Sequence, residues 1–543
     1  MRTHQLLYSA LLIGLFCAVA TIGPPRLRDS WQRLERGLRA LARRKTVCWL
    51  GIGALVLVVR VALLPIWPIP QPSVYDEFSY LLQADTFAHG RLTNPPHPLW
   101  RSFESTFVLQ QPTYASRFPP GPALPMALGQ VVFGHPWFGV WLSAALLAAA
   151  LCWALQGWLP PGWALLGAFI GLDLCLFTYW MNSYWGGAVT AFGGALVTGA
   201  WVRITRAKQS RYAWHFGIGA VILVWSRPFE GSVLLLVALI ALAAANRSPR
   251  VWLPIALIGV MGASWLAYYS YRITGDPLRL PYRQYYLQYE TVPPFWFIPT
   301  STPLPGFRQF DLEARTLDTY EEGRSWRPLV ERPKAWLHIF TGYYGNVIWL
   351  LPLAAFTPQL WRSRRIRFAI IATLAMGAVS FLEVWWYPHY PAPITAALLI
   401  LAAQSMRHLQ QWKYRGREVG YVLARATVTA VMVLMVATQA RAVARHQTVD
   451  QTQGGKNALK KTVERRLLAA SASQHVIIVR YTDPSPHLEW VYNPADIDSA
   501  PVIWAQDLGP EDNERLRRYY ASRSFWFFDS GSMRLTPYSS ELK

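Results

Sequence analysis

The sequence predicts a polytopic all-α membrane protein, of about 11–12 transmembrane helices, with a small extracytoplasmic α/β module at its C-terminal end. Three observations predict it. The 543 residues are 53% hydrophobic and only 15% charged, with 27 tryptophans, a balance that suits a membrane domain better than a soluble enzyme. Apolar runs near the ~20 residues needed to cross a hydrocarbon core recur as far as residue 440. The Lys and Arg residues behind the net charge of +22 fall in short clusters between those runs. Nucleic acid is not implied as a partner, because no basic amphipathic face is formed.

Candidate spans begin at roughly residues 5, 47, 136, 161, 184, 214, 231, 251, 340, 367, 390 and 420. Those around 225–236 and 386–394 are interrupted by Pro and charged residues. Taking the spans in order, the basic clusters at 26–45, 203–211, 247–250, 362–367 and 407–417 all fall on one side, which the positive-inside rule makes cytoplasmic. Three domains follow: an apolar helix and basic segment over 1–46, a transmembrane domain over 47–440, and a C-terminal module over 441–543. Loops 66–135 and 271–334 and the module are then extracytoplasmic, and the expected location is the inner (cytoplasmic) membrane.

The first apolar run also has signal-peptide character, with Ala18-Val19-Ala20 as a cleavage site. Cleavage would leave the first basic cluster outside, so an uncleaved helix is expected. Cys17, Cys48, Cys152 and Cys175 all lie in apolar segments, so the polar loops have no thiols for a disulfide framework. In the tail, residues 475–481, 501–506 and 524–529 read as short buried strands. Residues 510–520 read as a helix whose acidic start and basic end favour the dipole. His487 and Glu489 read as ordinary residues of a polar loop.

The chemistry-bearing residues collect in the outer loops. VYDEFSYLL (74–82) sets Asp76 and Glu77 at the start of a helix expected to lie along the membrane surface, and they either cap it or act from it. Arg117 precedes Pro119-Pro120-Gly121 and could grip a lipid-borne phosphate or snorkel to headgroups. Further candidates are Tyr80, the Arg227/Glu230 pair, Arg272 and Arg283 in a tyrosine-rich tract, and His389 and Tyr390 at a late outer turn. Glu77, His89, His97 and Glu104 could ligate a divalent metal, but their spacing matches no compact signature. No cofactor is firmly implied, and the default is a metal-free site.

A first loop that opens with Asp76, Glu77 and Tyr80 and closes with Arg117 before Pro119-Pro120 resembles the GT-C fold, polyprenyl-phosphate-sugar-dependent glycosyltransferases. These include protein O-mannosyltransferases, lipid A aminoarabinose transferases and the RgtA/B/C/D-like bacterial membrane transferases. The resemblance covers roughly residues 47–407. It implies an inverting glycosyltransferase moving a hexosyl or pentosyl group from a polyprenyl-phosphate donor to a lipid, glycan or protein acceptor. Asp76 would be the catalytic base, Glu77 its neighbour, and Arg117 the contact to lipid phosphate. The sequence departs from the pattern in having Phe118 between the basic residue and the prolines, and Gly121 where several relatives have Leu. Arg227, Arg272, Arg283 and His389 are added from topology alone. The alternatives are a membrane transporter or flippase, disfavoured because the charges sit at span ends and no repeat is visible, and a noncatalytic assembly partner.

Overall fold

The computed structural model describes residues 11–19, 25–308, 311–344, 350–445, 454–471, 473–482 and 490–538. Among them, six helices are long and apolar enough to cross a membrane: Lys45–Ala62, Trp137–Trp158, Gly187–Arg206, Pro228–Ala245, Pro249–Thr274 and Val419–Ala444. The chain is a multi-pass membrane protein. Shorter apolar helices, Pro161–Leu176 and Ile366–Val379, fill gaps between these, as do Ala213–Ser226 and Thr395–Gln411. Proline opens many of the helices, at Pro161, Pro228, Pro249 and Pro281, because its missing N–H is an orphan of the first turn anyway. That rule moves the boundary expected near 231 back to Pro228.

Burial separates interior helices from lipid-facing ones. Thr395–Gln411 is buried along nearly its whole length. Pro249–Thr274 exposes Leu253, Val260 and Met261, side chains that suit hydrocarbon but not water. In the span expected from about 340, a π turn over Phe340–Tyr344 continues the helix Pro328–Ile339, residues 345–349 lie outside the described residues, and the helix Leu350–Arg362 follows.

The first loop is a folded unit. It contains the helix Tyr75–Ala88, a short antiparallel hairpin of β1 (Val108–Leu109) and β2 (Ala115–Ser116), and the apolar helix Ala123–Phe133. The apolar side of the helix Tyr75–Ala88, expected to rest on a membrane surface, is covered by protein: Phe78 and Leu82 are buried.

The C-terminal module supplies the cover. Its strands β3 (His475–Arg480), β4 (Val502–Gln506), β5 (Ser524–Asp529) and β6 (Arg534–Pro537) form a sheet in the order β4-β3-β5-β6. β3 pairs parallel with both neighbours and β6 closes one edge antiparallel to β5. Strand alternation sorts the sheet's two faces. Val476, Ile478, Ile503 and Ala505 join Leu82, Phe103, Val108 and Tyr114 of the first loop. Ile477, Val479, Trp504 and Phe528 pack with Val463 and Leu467 of the helix Gly454–Ala470. His487 and Glu489 lie outside the described residues.

Candidate active site

The exit from the spanning helix Lys45–Ala62 is built to present Asp76. Arg60, buried in that helix, donates to the carbonyls of Trp67 at 2.8 Å and Pro68 at 3.3 Å, which fixes the proline-rich turn leading to the next helix. Glu77 then secures the helix start. Its Oε2 accepts from Ser73 N at 2.6 Å, Ser73 Oγ at 2.9 Å and Val74 N at 3.2 Å, and its Oε1 accepts from Tyr184 N at 2.9 Å. With 1% of its surface accessible and both oxygens engaged, Glu77 does not line the cavity beside Asp76. The expected catalytic or ligand role gives way to a structural one: it caps the helix and ties to it the loop that carries Trp185.

Asp76, one residue earlier on the turn, faces the other way. It lines a cavity of about 340 Å³ with Tyr80, Arg117, Arg227, His389 and Tyr390, so six residues singled out in sequence meet in one place. Burial raises the Asp76 pKa above the ordinary aspartate value, while Arg117, the Trp185 side chain and Arg227 pull it back down. The Trp185 indole N–H closes no hydrogen bond of normal geometry.

The two arginines are held differently. Arg117 is ion-paired to Glu290, and its guanidinium lies 3.5 Å from the Phe107 ring centroid and 4.6 Å from that of Tyr282. Burial opposes its charge, but Glu290, Tyr282 and Tyr285 more than compensate and hold its pKa above the usual arginine value. Arg117 Nε and Glu290 Oε2 are buried without hydrogen-bond partners, so each retains capacity for a ligand. Arg227 pairs with Glu230 at 3.2 Å and sits 4.0 Å over the Tyr390 ring. His389 joins Tyr179 Oη at 2.8 Å and lies parallel to Tyr387 with centroids 5.8 Å apart. Burial and then Arg227 depress its pKa, so it is a neutral imidazole.

Backbone detail supports the arrangement. Phe107 has φ of 66°, a conformation bulky residues avoid. It is held there because its N–H donates to Tyr285 Oη at 2.9 Å while its carbonyl accepts from Ser79 Oγ at 2.6 Å and Arg117 N at 3.2 Å. Strain concentrated where a ring supports a buried cation is the pattern seen at functional sites. The Pro119-Pro120-Gly121 turn explains its glycine: Gly121 N donates to Trp225 O at 2.8 Å, and a Cβ there would stand 2.4 Å from Ser226 Oγ. Gly186, at φ of 71°, lies against Pro122 and turns the chain between Trp185 and the next spanning helix.

Arg272 and Arg283 are not brought to the cavity. Arg272 donates to Tyr268 Oη at 3.0 Å on the exposed side of its own helix, and Arg283 is exposed over Tyr286. The tract did hold a site residue, but it was Glu290, with Tyr282. Glu290 is the one carboxylate between Asp276 and Asp311, and that isolation among tyrosines was the available signal. Tyr75, Phe107, Trp385 and Tyr387 complete the aromatic wall.

The four metal-ligand candidates are dispersed. Glu77 caps its helix, His89 contacts the Asp85 carbonyl, His97 contacts Asp498, and Glu104 accepts from Arg308 N. Among the described residues, no group of three or more His, Cys, Asp or Glu is placed to hold a metal ion.

No protein-family model matches this sequence, and no curated protein does. Solved structures do. The chain is similar to ArnT from Cupriavidus metallidurans in the apo state, at 14% identity and a TM-score of 0.50, over 88% of this chain and 93% of ArnT. Against the same protein bound to undecaprenyl phosphate, identity is 13% and the TM-score 0.51, over 90% of this chain and 93% of ArnT. A lesser likeness, with a TM-score of 0.45 at 11% identity, is to the Archaeoglobus fulgidus oligosaccharyltransferase in the apo form, over 79% of this chain and 62% of that one. This chain therefore has the GT-C membrane fold that it shares with ArnT over nearly its full length.

Proposed function

We propose that the protein is an inverting membrane glycosyltransferase that moves a sugar from a polyprenyl-phosphate donor to an acceptor hydroxyl, with Asp76 as general base. The observation that carries this is the convergence of Asp76 with the buried Arg117 and the half-buried Arg227 in one aromatic-walled cavity. A carboxylate facing cations across a sugar-sized space is the arrangement that displacement at an anomeric carbon requires. The fold shared with ArnT, a structure of which holds undecaprenyl phosphate, agrees with a lipid-phosphate donor.

In this scheme the acceptor oxygen attacks the anomeric carbon while its proton passes to an Asp76 carboxylate oxygen. The bond from that carbon to the phosphate oxygen breaks, and its electron pair leaves with the lipid phosphate. Arg117 and Arg227 stabilise the charge appearing there. Arg117 is held in place by its pair with Glu290 and by the rings of Phe107 and Tyr282, so little reorganisation accompanies the reaction. Trp185, Tyr387 and Tyr390 offer flat apolar faces for the sugar. The distribution of basic clusters supports an extracytoplasmic position for this cavity, and no step in the scheme requires a metal. The nature of the sugar and of the acceptor does not enter it.

The test is reconstitution in vesicles with radiolabelled polyprenyl-phosphate sugar and candidate acceptors. Transfer by the wild type and none by Asp76→Asn, with unchanged insertion, is expected. Undiminished transfer by Asp76→Asn would remove it as the base.

A further inference from the structure

At the end of the bundle opposite Asp76 lies a second, larger cavity of about 910 Å³, at the upper end of the ~300–1,000 Å³ typical of ligand sites. Lys45, Arg203, Arg206, Arg211, Arg365 and Arg407 line it, and no carboxylate does. They come from three spanning helices, Lys45–Ala62, Gly187–Arg206 and Thr395–Gln411, and from the connecting segments that carry Arg211 and Arg365. We propose that this cavity binds a phosphate-bearing anion, either the phosphodiester headgroup of an anionic lipid or a free polyphosphate of the same chemistry.

The positive-inside rule accounts for cations at this end of the molecule, but not for their gathering around one cavity. Cations that merely retain a span on one side are dispersed among headgroups or paired with neighbouring acids. Pairing of that kind occurs elsewhere on this face: Glu35 pairs with Arg39 at 3.1 Å and Arg425 at 2.8 Å, and Glu418 with Lys413 at 3.5 Å. Among the described residues, no ion pair reaches the six cavity cations.

Helix dipoles sharpen the point. Arg203, Arg206 and Arg407 sit near helix C-termini, where a cation is favoured. Lys45 opens the helix Lys45–Ala62, and Arg365 is the N-cap of the helix Ile366–Val379, and neither helix has an acid in its first turn. At these ends a cation opposes the dipole. Arg365 also lies within electrostatic reach of Arg206, so like charges face one another with no acid between them. An anion in the cavity relieves all of these unfavourable terms together.

The site is also pre-built. Arg203 lies 4.0 Å from the Trp153 ring centroid and donates to the carbonyls of Gly199 at 2.8 Å and Trp153 at 2.6 Å. Arg206 donates to Gly157 O at 3.3 Å. Fixed guanidinium groups among interfacial tryptophans, at the basic end of a membrane protein, match the recognition of anionic lipid headgroups.

The experiment uses the full chain in phosphatidylcholine nanodiscs with phosphatidylglycerol as the minor lipid, and native mass spectrometry to count retained anionic lipid. The double variant Arg206→Gln/Arg365→Gln, both cavity-facing and solvent-accessible, should weaken retention roughly 25-fold, from about fivefold per cation removed. A control that pairs Lys413→Gln with Arg417→Gln removes the same charge outside the cavity and should leave retention unchanged. In a parallel arm, inorganic diphosphate is titrated into phosphatidylcholine nanodiscs with tryptophan fluorescence as readout. Saturable binding there, lost in the double variant, identifies a soluble source, and lipid retention alone identifies the leaflet. If neither readout separates the cavity variant from the Lys413→Gln/Arg417→Gln control, the proposal is wrong.

Discussion

The adjacent carboxylates Asp76 and Glu77 should fail in opposite ways when each is made an amide. Glu77→Gln turns one of two accepting oxygens into an NH2 group. If the remaining oxygen serves Ser73 and Val74, the amide faces the Tyr184 N–H, donor against donor. A lost charge-assisted hydrogen bond of about 1.5–3 kcal/mol plus a buried orphan N–H of about 1–3 kcal/mol gives roughly 2.5–6 kcal/mol of destabilisation. Asp76 keeps partial access to the cavity, and burial already penalises its charge, so Asp76→Asn should alter stability by less than about 1 kcal/mol. Its transfer rate should fall by about 10²–10⁴, the contribution of a positioned general base. The assay pairs SDS titration of each variant in mixed micelles with radiolabelled-donor transfer at saturating donor. A Glu77→Gln protein of wild-type stability that transfers no sugar would refute the capping argument and return Glu77 to the chemistry.

Because burial raises the Asp76 pKa and the base must be ionised, kcat/KM should rise with pH through a limb that lies above 3.8; a limb at or below that value would mean the carboxylate is well solvated. Arg117→Lys keeps the charge but loses the planar fork stacked on Phe107, and should raise donor KM by about tenfold with less effect on acceptor KM. Gly121→Ala places a methyl 2.4 Å from Ser226 Oγ and 2.8 Å from Trp225 O, so it should cost about 1–3 kcal/mol by the same SDS titration. His97 is neutral in the fold: Leu99 N donates to its Nδ1 at 2.9 Å, and burial lowers its pKa below 6.5. A base depressed on folding contributes fully above its unfolded value and loses that contribution as pH falls. The thermal midpoint should therefore drop as the pH is taken below about 6.5, and His97→Gln should blunt that drop.

The membrane domain was legible because span length and charge placement are set by the bilayer, a solvent whose demands show in local sequence. The strands at 475, 502 and 524 were legible for a similar reason, since short β-branched and aromatic runs need no distant partner to be recognised. What sequence could not show was direction. Asp76 and Glu77 are neighbours, and only the helix start decides that one faces the cavity and the other the loop at Tyr184. The tyrosine-rich tract held three cations, and periodicity offered no way to tell which side chain turned inward. It was Glu290, from the end of the helix Pro281–Tyr289, that reached Arg117 across 173 positions of chain. Helix starts shifted by a few residues where local chemistry overrode hydropathy, as at the proline-started helix Pro228–Ala245.

The C-terminal module bears on the chemistry through the helix that carries Asp76. On the face of that helix turned away from the cavity, Asp85 Oδ2 accepts from Ala495 N and Oδ1 from Gln130 Nε2, each at 2.7 Å. The Phe78 ring meets Tyr492 at 4.8 Å. Tyr114, beside the strand that leads to Arg117, donates to Asn493 O at 3.0 Å. The same module segment, 492–495, thus braces the mount of Asp76 and the hairpin that delivers Arg117, from outside the cavity. A base and a cation must hold their separation across a sugar to within a fraction of an ångström, and a loop that has just left the bilayer has no spanning helix of its own to set it. Asp85→Asn, which keeps the shape but removes the charge from both contacts, should therefore lower kcat more than it raises either KM. An effect confined to KM would mean that the module serves substrate capture instead of holding the two groups apart.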